Sequence, residues 1–349
     1  MEYGLPQAQR FWMRLKVKRV EMVGDSITRR GVLGSVGGIA AAATMPKNTA
    51  AQGTDVPLLK RIKMATLGVP NVDAIAPLYE EWLGYTVVER DILPQTLAET
   101  WGAPNSGGRR YIMMQPESGS DVFIRAVEID PVPSYRAMTT WGWNAIEIIV
   151  DDPDTLYKKL LNSPFTLLGE PQGLNNYPSI RATQFQGPAE DVLYLTAETG
   201  DRSNSLLPRP GAFVGRIFIM VVAGPDIEAL QDFYSNNFQM KRGPIRNSPI
   251  ELINRAQGIA LDSERPITIV GMAEHGNILE LDGYGNHIGP RPRNEGQLPP
   301  GIAITSVIVD DLDALGLDFI TPPANAYGTR TASIIGPAGE LLELIEDNE

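Results

Sequence analysis

The 349-residue sequence contains no cysteine and only two histidines, His275 and His287. The first absence excludes disulfides, thiolate nucleophiles and zinc–thiolate sites. The second leaves little imidazole for a metal centre or a catalytic triad, and no GxSxG elbow is present to present a serine nucleophile. Residues 102–108, GAPNSGG, form a glycine-rich loop that lacks the Lys-Ser/Thr pair of a phosphate loop. Positive charge is also scarce. There are 30 Lys and Arg against 42 Asp and Glu, a formal net charge of −12. Nucleic acid and anionic membranes both need clustered basic residues, so neither is expected as a partner.

What basic charge there is lies early. Arg29 and Arg30 precede about fourteen small or apolar residues without charge, within DSITRRGVLGSVGGIAAAATM at 25–45. That run is shorter than the roughly 20 residues a spanning helix needs. Its order of features resembles a twin-arginine export signal, with Met22 just upstream as a start and cleavage near Ala50-Ala51. Residues 1–53 are therefore expected to be an N-terminal extension and export signal, which places the mature chain in the periplasm. Residues 54–349 hold 22 basic and 39 acidic residues, a net charge of −17.

Internal repeats set the architecture. VDDPDTLYKKL (150–160) answers VDDLDALGLDF (309–319), and QGPAEDVLYLTAE (186–198) answers IGPAGELLELIE (335–346). APLYEEWLGYTVVER (76–90) answers QDFYSNNFQMKRGP (231–244), and DVFIRAVEID (121–130) answers NILELDGYGN (277–286). The second set keeps one offset, 155 residues, for both Leu78–Phe233 and Arg125–Glu280. Each unit reads as an alternating apolar strand, an amphipathic helix and further strands, in the order βαβββ. Four units follow one another as A-B-A′-B′, separated by Gly/Pro-dense seams at 132–140, 202–213 and 285–301.

The strand–Asp–helix pattern with LYEEWLG, and the GPAGELLEL ending, resemble the vicinal oxygen chelate superfamily of glyoxalase I, bleomycin-resistance proteins and extradiol dioxygenases. The resemblance covers about residues 61–349 and implies an α+β fold in which βαβββ modules pair into curled-sheet cups. Two cups are expected: modules one and two in a domain at 54–205, and modules three and four in a domain at 206–349. It also implies a small organic ligand, and a monomer or homodimer with no membrane in the mature form.

Metal-dependent members of that superfamily take a ligand, commonly His, from the first strand of a module and a Glu from the last. The corresponding positions here are Met64, Ala145, Ile219 and Ile304 on first strands, and Arg125, Tyr194, Glu280 and Glu343 on last strands. No cofactor is expected on that basis. A divalent metal is the alternative, with Glu280, Glu343 and His275 as its ligands. Otherwise Glu280 and Glu343 either face each other as a catalytic acid/base pair or are inherited carboxylates paired to arginines such as Arg291 and Arg293. Arg125, Tyr194, Trp141 and Trp143 are the expected substrate-binding groups, an arginine among aromatic walls. The leading functional expectation is an exported glyoxalase-like lyase or isomerase working by carboxylate acid/base chemistry. A non-catalytic sequestering protein is the alternative, and a metal-dependent lyase or dioxygenase the third.

Overall fold

A computed structural model describes residues 56–174 and 177–347. The export signal expected in residues 1–53 lies outside them. Module one holds β1 (Arg61–Val69), α1 (Val72–Leu78), β2 (Tyr85–Ile92), α2 (Gln95–Thr100), β3 (Arg110–Pro116) and β4 (Phe123–Glu128). Module two holds β5 (Gly142–Val150), α3 (Pro153–Leu160), β6 (Thr166–Leu174), β7 (Tyr177–Gln186) and β8 (Val192–Glu198). Module three holds β9 (Val214–Gly224), α4 (Ile227–Phe238), β10 (Arg246–Pro249), α5 (Glu251–Gln257), β11 (Glu264–Gly271) and β12 (Ile278–Gly283). Module four holds β13 (Gly301–Val309), β14 (Ala324–Ala326), β15 (Thr329–Ile335) and β16 (Leu341–Glu346).

The repeated aspartates are helix caps. Asp152 Oδ1 accepts from the amides of Asp154 and Thr155, and Asp226 Oδ1 accepts from Glu228 and Ala229, satisfying donors that a first turn leaves open. α4 then buries Ile227, Leu230, Tyr234 and Phe238, one stripe at helical spacing. Module four departs from the expected pattern. Asp311 caps in the same way, but only a single 3₁₀ turn at Asp313–Leu315 follows. Gly316 turns left-handed at φ 61°, and Pro322-Pro323 lie just beyond, so no helix propagates.

The modules pair into two eight-stranded sheets, as expected, but with different partners. One sheet runs β14-β15-β16-β13-β1-β4-β3-β2 and the other β10-β11-β12-β9-β5-β8-β7-β6. Module one therefore joins module four, and module two joins module three. Neither 54–205 nor 206–349 builds a sheet by itself. The join is made by first strands: β1 lies antiparallel to β13, and β5 antiparallel to β9. Each is a long apolar strand that can be buried on both faces only at a sheet centre.

Strand alternation divides the core. Leu67, Ile124, Ile148, Leu195, Val222 and Leu344, from both sheets, share one cluster with the packed faces of α1, α3 and α4. The opposite faces form two smaller clusters, one per cup. In the one–four cup, Leu97, Ala98 and Trp101 from α2 and its end lie over Val127, Ile304 and Leu341. In the two–three cup, Leu252 and Ile253 from α5 lie over Ala145, Val221 and Ile269.

Among the buried polar links that tie the sheets together, two run from a tyrosine to a buried acid. Tyr79, on module one, donates from its hydroxyl to Asp191 Oδ2 of module two at 2.6 Å. Tyr234 of module three donates to Glu340 Oε1 of module four at 3.1 Å. Both acids also accept a backbone amide, Ala189 and Ala338 respectively. The glycines of the two GPA motifs make room for them. A Cβ on Gly187 would stand 2.2 Å from Asp191 Oδ2, and one on Gly336 2.0 Å from Glu340 Oε1.

Candidate functional site

In each sheet, the strands that would carry metal ligands lie side by side, and their registers give a row of four positions in which the two first-strand residues sit diagonally across the central join. In the one–four cup Thr66 is opposite Arg125 and Ser306 opposite Glu343. In the two–three cup Glu147 is opposite Tyr194 and Val221 opposite Glu280. The first-strand positions are thus Thr66, Glu147, Val221 and Ser306, each two residues beyond the expected Met64, Ala145, Ile219 and Ile304. A shift of two keeps the face and moves the place. It brings in Glu147, which sequence reasoning missed although it stands alone in the apolar run WNAIEIIV, as Glu343 does in GELLELIE.

The pairing of modules separates the expected acid pair: Glu280 lies in the two–three cup and Glu343 in the one–four cup. The expected substrate groups are divided in the same way, Arg125 in one cup and Tyr194 in the other. Trp143 is buried in the core between the sheets and donates to the Leu341 carbonyl at 2.8 Å. Trp141 is half-buried at the edge of the two–three cup and donates to the Gly285 carbonyl. His275 is exposed on the β11–β12 turn, its Nε2 3.1 Å from the Ser205 carbonyl, and so does not join either glutamate.

What the one–four cup brings together is Arg125 with Glu343. Arg125 Nη2 lies 3.2 Å from Glu343 Oε2, and both side chains are buried. Glu343 Oε1 accepts from Trp101 Nε1 at 2.8 Å and from the Tyr327 hydroxyl at 3.2 Å, and Oε2 also accepts from Ser306. Arg125 donates from Nε to Thr66 Oγ1 at 3.0 Å and from Nη1 to the Tyr327 hydroxyl. Its guanidinium lies 4.4 Å from the centre of the Trp101 ring, a cation–π distance. Burying two charges is costly unless each is paired and bonded, and here every member of the row takes part.

A cavity of about 610 Å³ meets this cluster at Tyr327; Met64, Leu97, Tyr111, Met113 and Phe123 also line it, with charged residues such as Lys63 and Glu89 on its walls. Tyr327 is the member of the cluster that lines this cavity. The residue as a whole is 44% exposed, while its hydroxyl bridges Arg125 and Glu343. Burial of that hydroxyl pushes its pKa well above the usual tyrosine value, Arg125 opposing and Glu343 adding. It therefore stays a neutral phenol, accepting from the cation and donating to the carboxylate.

The two–three cup has the opposite character. Glu280 is buried with neither oxygen accepting a hydrogen bond among the described residues, and the same holds for Asp282. Glu147 accepts from Thr196 Oγ1 at 2.5 Å through one oxygen, and its other oxygen has no partner among the described residues. Burial pushes Glu147 up to about 8, with the Thr196 bond opposing. Burial pushes Asp282 up to about 7, against the pull of Arg265, and raises Glu280 well above the carboxylate range, with Asp282 and Glu147 adding. Desolvation is the dominant cause throughout.

The divalent metal implied by the resemblance fits neither row. In the one–four cup a guanidinium, which cannot ligate, stands beside the Glu343 carboxylate and pairs with it. In the two–three cup carboxylate oxygens are available. Yet among the described residues no three His, Asp or Glu side chains are grouped closely enough to hold an ion.

No protein-family model matches the sequence, and neither does any curated protein. Solved structures do match the fold. Glyoxalase I from Zea mays superposes with a TM-score of 0.55 at 17% identity, over 82% of this chain and 92% of that one. A putative dioxygenase from Bacillus subtilis superposes with a TM-score of 0.53 at 12% identity, over 84% and 86%. At such identities the likeness establishes a shared fold, that of the glyoxalase/dioxygenase proteins. No helix among the described residues is long and apolar enough to cross a membrane.

Proposed function

We propose that the chain is a member of the vicinal oxygen chelate superfamily that captures a small organic molecule in the one–four cup without a metal. The observation that carries this reading is the cavity lined by Tyr327, whose hydroxyl reaches from it to the Arg125–Glu343 pair at the superfamily's ligand positions. A mostly apolar pocket ending in a few convergent polar groups suits ligand capture. Glu343 supports binding better than proton abstraction, because both of its oxygens are already occupied by donors. Filling the cavity tests this. Met113→Trp should abolish binding of a simple aromatic probe such as toluene, followed by ligand-observed NMR. Unchanged binding would refute the location.

The lyase or isomerase reading keeps one specific support, the buried, raised carboxyls of Glu147 and Glu280, which hold protons available for general acid chemistry at neutral pH. It requires turnover that disappears in Glu280→Gln while ligand binding persists. We also infer export through Arg29-Arg30 to the periplasm. Fractionation of cells carrying Arg29→Lys/Arg30→Lys should show the chain retained in the cytoplasm; normal periplasmic recovery would count against the signal.

A further inference from the structure

We infer that the one–four cup is a site for a hydroxyaromatic ligand, a phenol, whose hydroxyl takes the place now held by the Tyr327 hydroxyl between Arg125 and Glu343. The inference rests on the proposed capture function and names its ligand class.

Tyr327 occupies an unusual position. It is the first loop residue of a two-residue hairpin, Ala326 pairing with Thr329, and both loop residues have positive φ, 58° at Tyr327 and 77° at Gly328. Such turns favour Asn, Asp or Gly at the first position, and a bulky aromatic there is an outlier. Strain of this kind persists where surrounding contacts enforce it, and it collects at ligand clamps. The enforcing contacts here are the two bonds of the hydroxyl, to Arg125 and Glu343. The residue is otherwise 44% exposed and borders the cavity. Tyr327 is thus a phenol lent to the cup by a strained turn, not a packed core residue.

The site left behind would have a definite chemical preference. Arg125 uses three of its five N–H donors, on Thr66, Tyr327 and Glu343. Removing the Tyr327 hydroxyl frees one donor on the cation and one acceptor position on Glu343. A single atom that accepts from the first and donates to the second is a hydroxyl. A carboxylate ligand could only accept, and would face the Glu343 charge across the same gap. A ligand without a hydroxyl would leave buried groups unpaired, which a site built for hydrogen bonding rejects strongly. The aromatic part follows from the cavity wall, where Tyr111, Phe123 and Leu97 stand with Tyr327.

The test is chemical rescue with the side chain itself. Tyr327→Gly suits the left-handed turn and opens a ring-sized gap. p-Cresol, toluene and p-toluate are then titrated into this variant and the parent by calorimetry. The expected result is that the variant binds p-cresol about tenfold tighter than the parent does, and about tenfold tighter than it binds toluene. Tyr327→Asn, equally at home in the turn, should behave in the same way if the glycine variant folds poorly. Equal affinity for toluene and p-cresol, equal affinity of variant and parent for p-cresol, or a preference for p-toluate would each overturn the assignment. If no probe binds any protein, toluene included, the capture function itself falls.

Discussion

Glu147 offers a quantitative check on the two–three cup. Its carboxyl is raised from an ordinary value of 4.5 to about 8 by burial. Below pH 4.5 folded and unfolded chains both hold the proton, and the group adds no pH dependence. Between 4.5 and 8 the unfolded chain releases its proton and the folded chain keeps it, so stability falls as pH rises. Above 8 both have released it and the slope ends. Glu147→Gln keeps the shape and removes the titration. Each pH unit inside the window is worth about 1.4 kcal/mol. The variant's advantage over the parent should therefore grow by roughly 2–3 kcal/mol between pH 5.5 and 7.5. Urea unfolding of both proteins at a series of pH values, with a chelator present, measures it. Asp191, Asp282, Glu280 and Glu340 are raised too and contribute slopes of the same sign, so the difference between variant and parent is the informative quantity. A constant difference across the window, or one that shrinks as pH rises, would refute the picture of an acid whose proton is held by burial.

The Arg125–Glu343 pair should show strong non-additivity: Arg125→Met alone leaves a buried carboxylate without its cation and should cost about 3–5 kcal/mol, whereas adding Glu343→Leu should recover most of that loss in urea titrations. Recovery of nothing would mean the pair is not coupled as described. Gly336→Ala should destabilise by about 1–3 kcal/mol, because its Cβ would press on the Glu340 carboxyl and loosen the Tyr234 link; thermal melting indistinguishable from the parent would contradict that packing.

The sequence made the modules legible because their chemistry is local: an Asn or Asp at the first turn, apolar stripes in three helices, and a GPA turn before the last strand of modules two and four. Which modules share a sheet was not legible. An offset of 155 residues marks descent, and descent is silent about whether β1 pairs with β5 or with β13. The error propagated to the site, since Glu280 and Glu343 could be brought together only by the wrong pairing. The ligand row was misplaced by two residues for a related reason. Alternation identifies the inward face of a strand, but its longitudinal register depends on bulges such as those between β1 and β13. Tyr327 was invisible to pattern reading because nothing around it is periodic; the NAYG turn, with Tyr where Asn or Gly belongs, was the available sign.

The pairing of first with fourth and second with third modules makes the chain a nested object. The inner sheet can close once module three has been made, while the outer sheet must wait for the last strand. Where the described chain begins and ends, Lys60 Nζ meets Asp347 Oδ2 at 2.8 Å. Joining those ends and opening the seam at 132–140 would reorder the modules as two, three, four, one. Every sheet would then be built from consecutive modules. Nested and tandem layouts of this fold are thus one cyclic shift apart, and moving the break moves only the order in which the two cups can be completed.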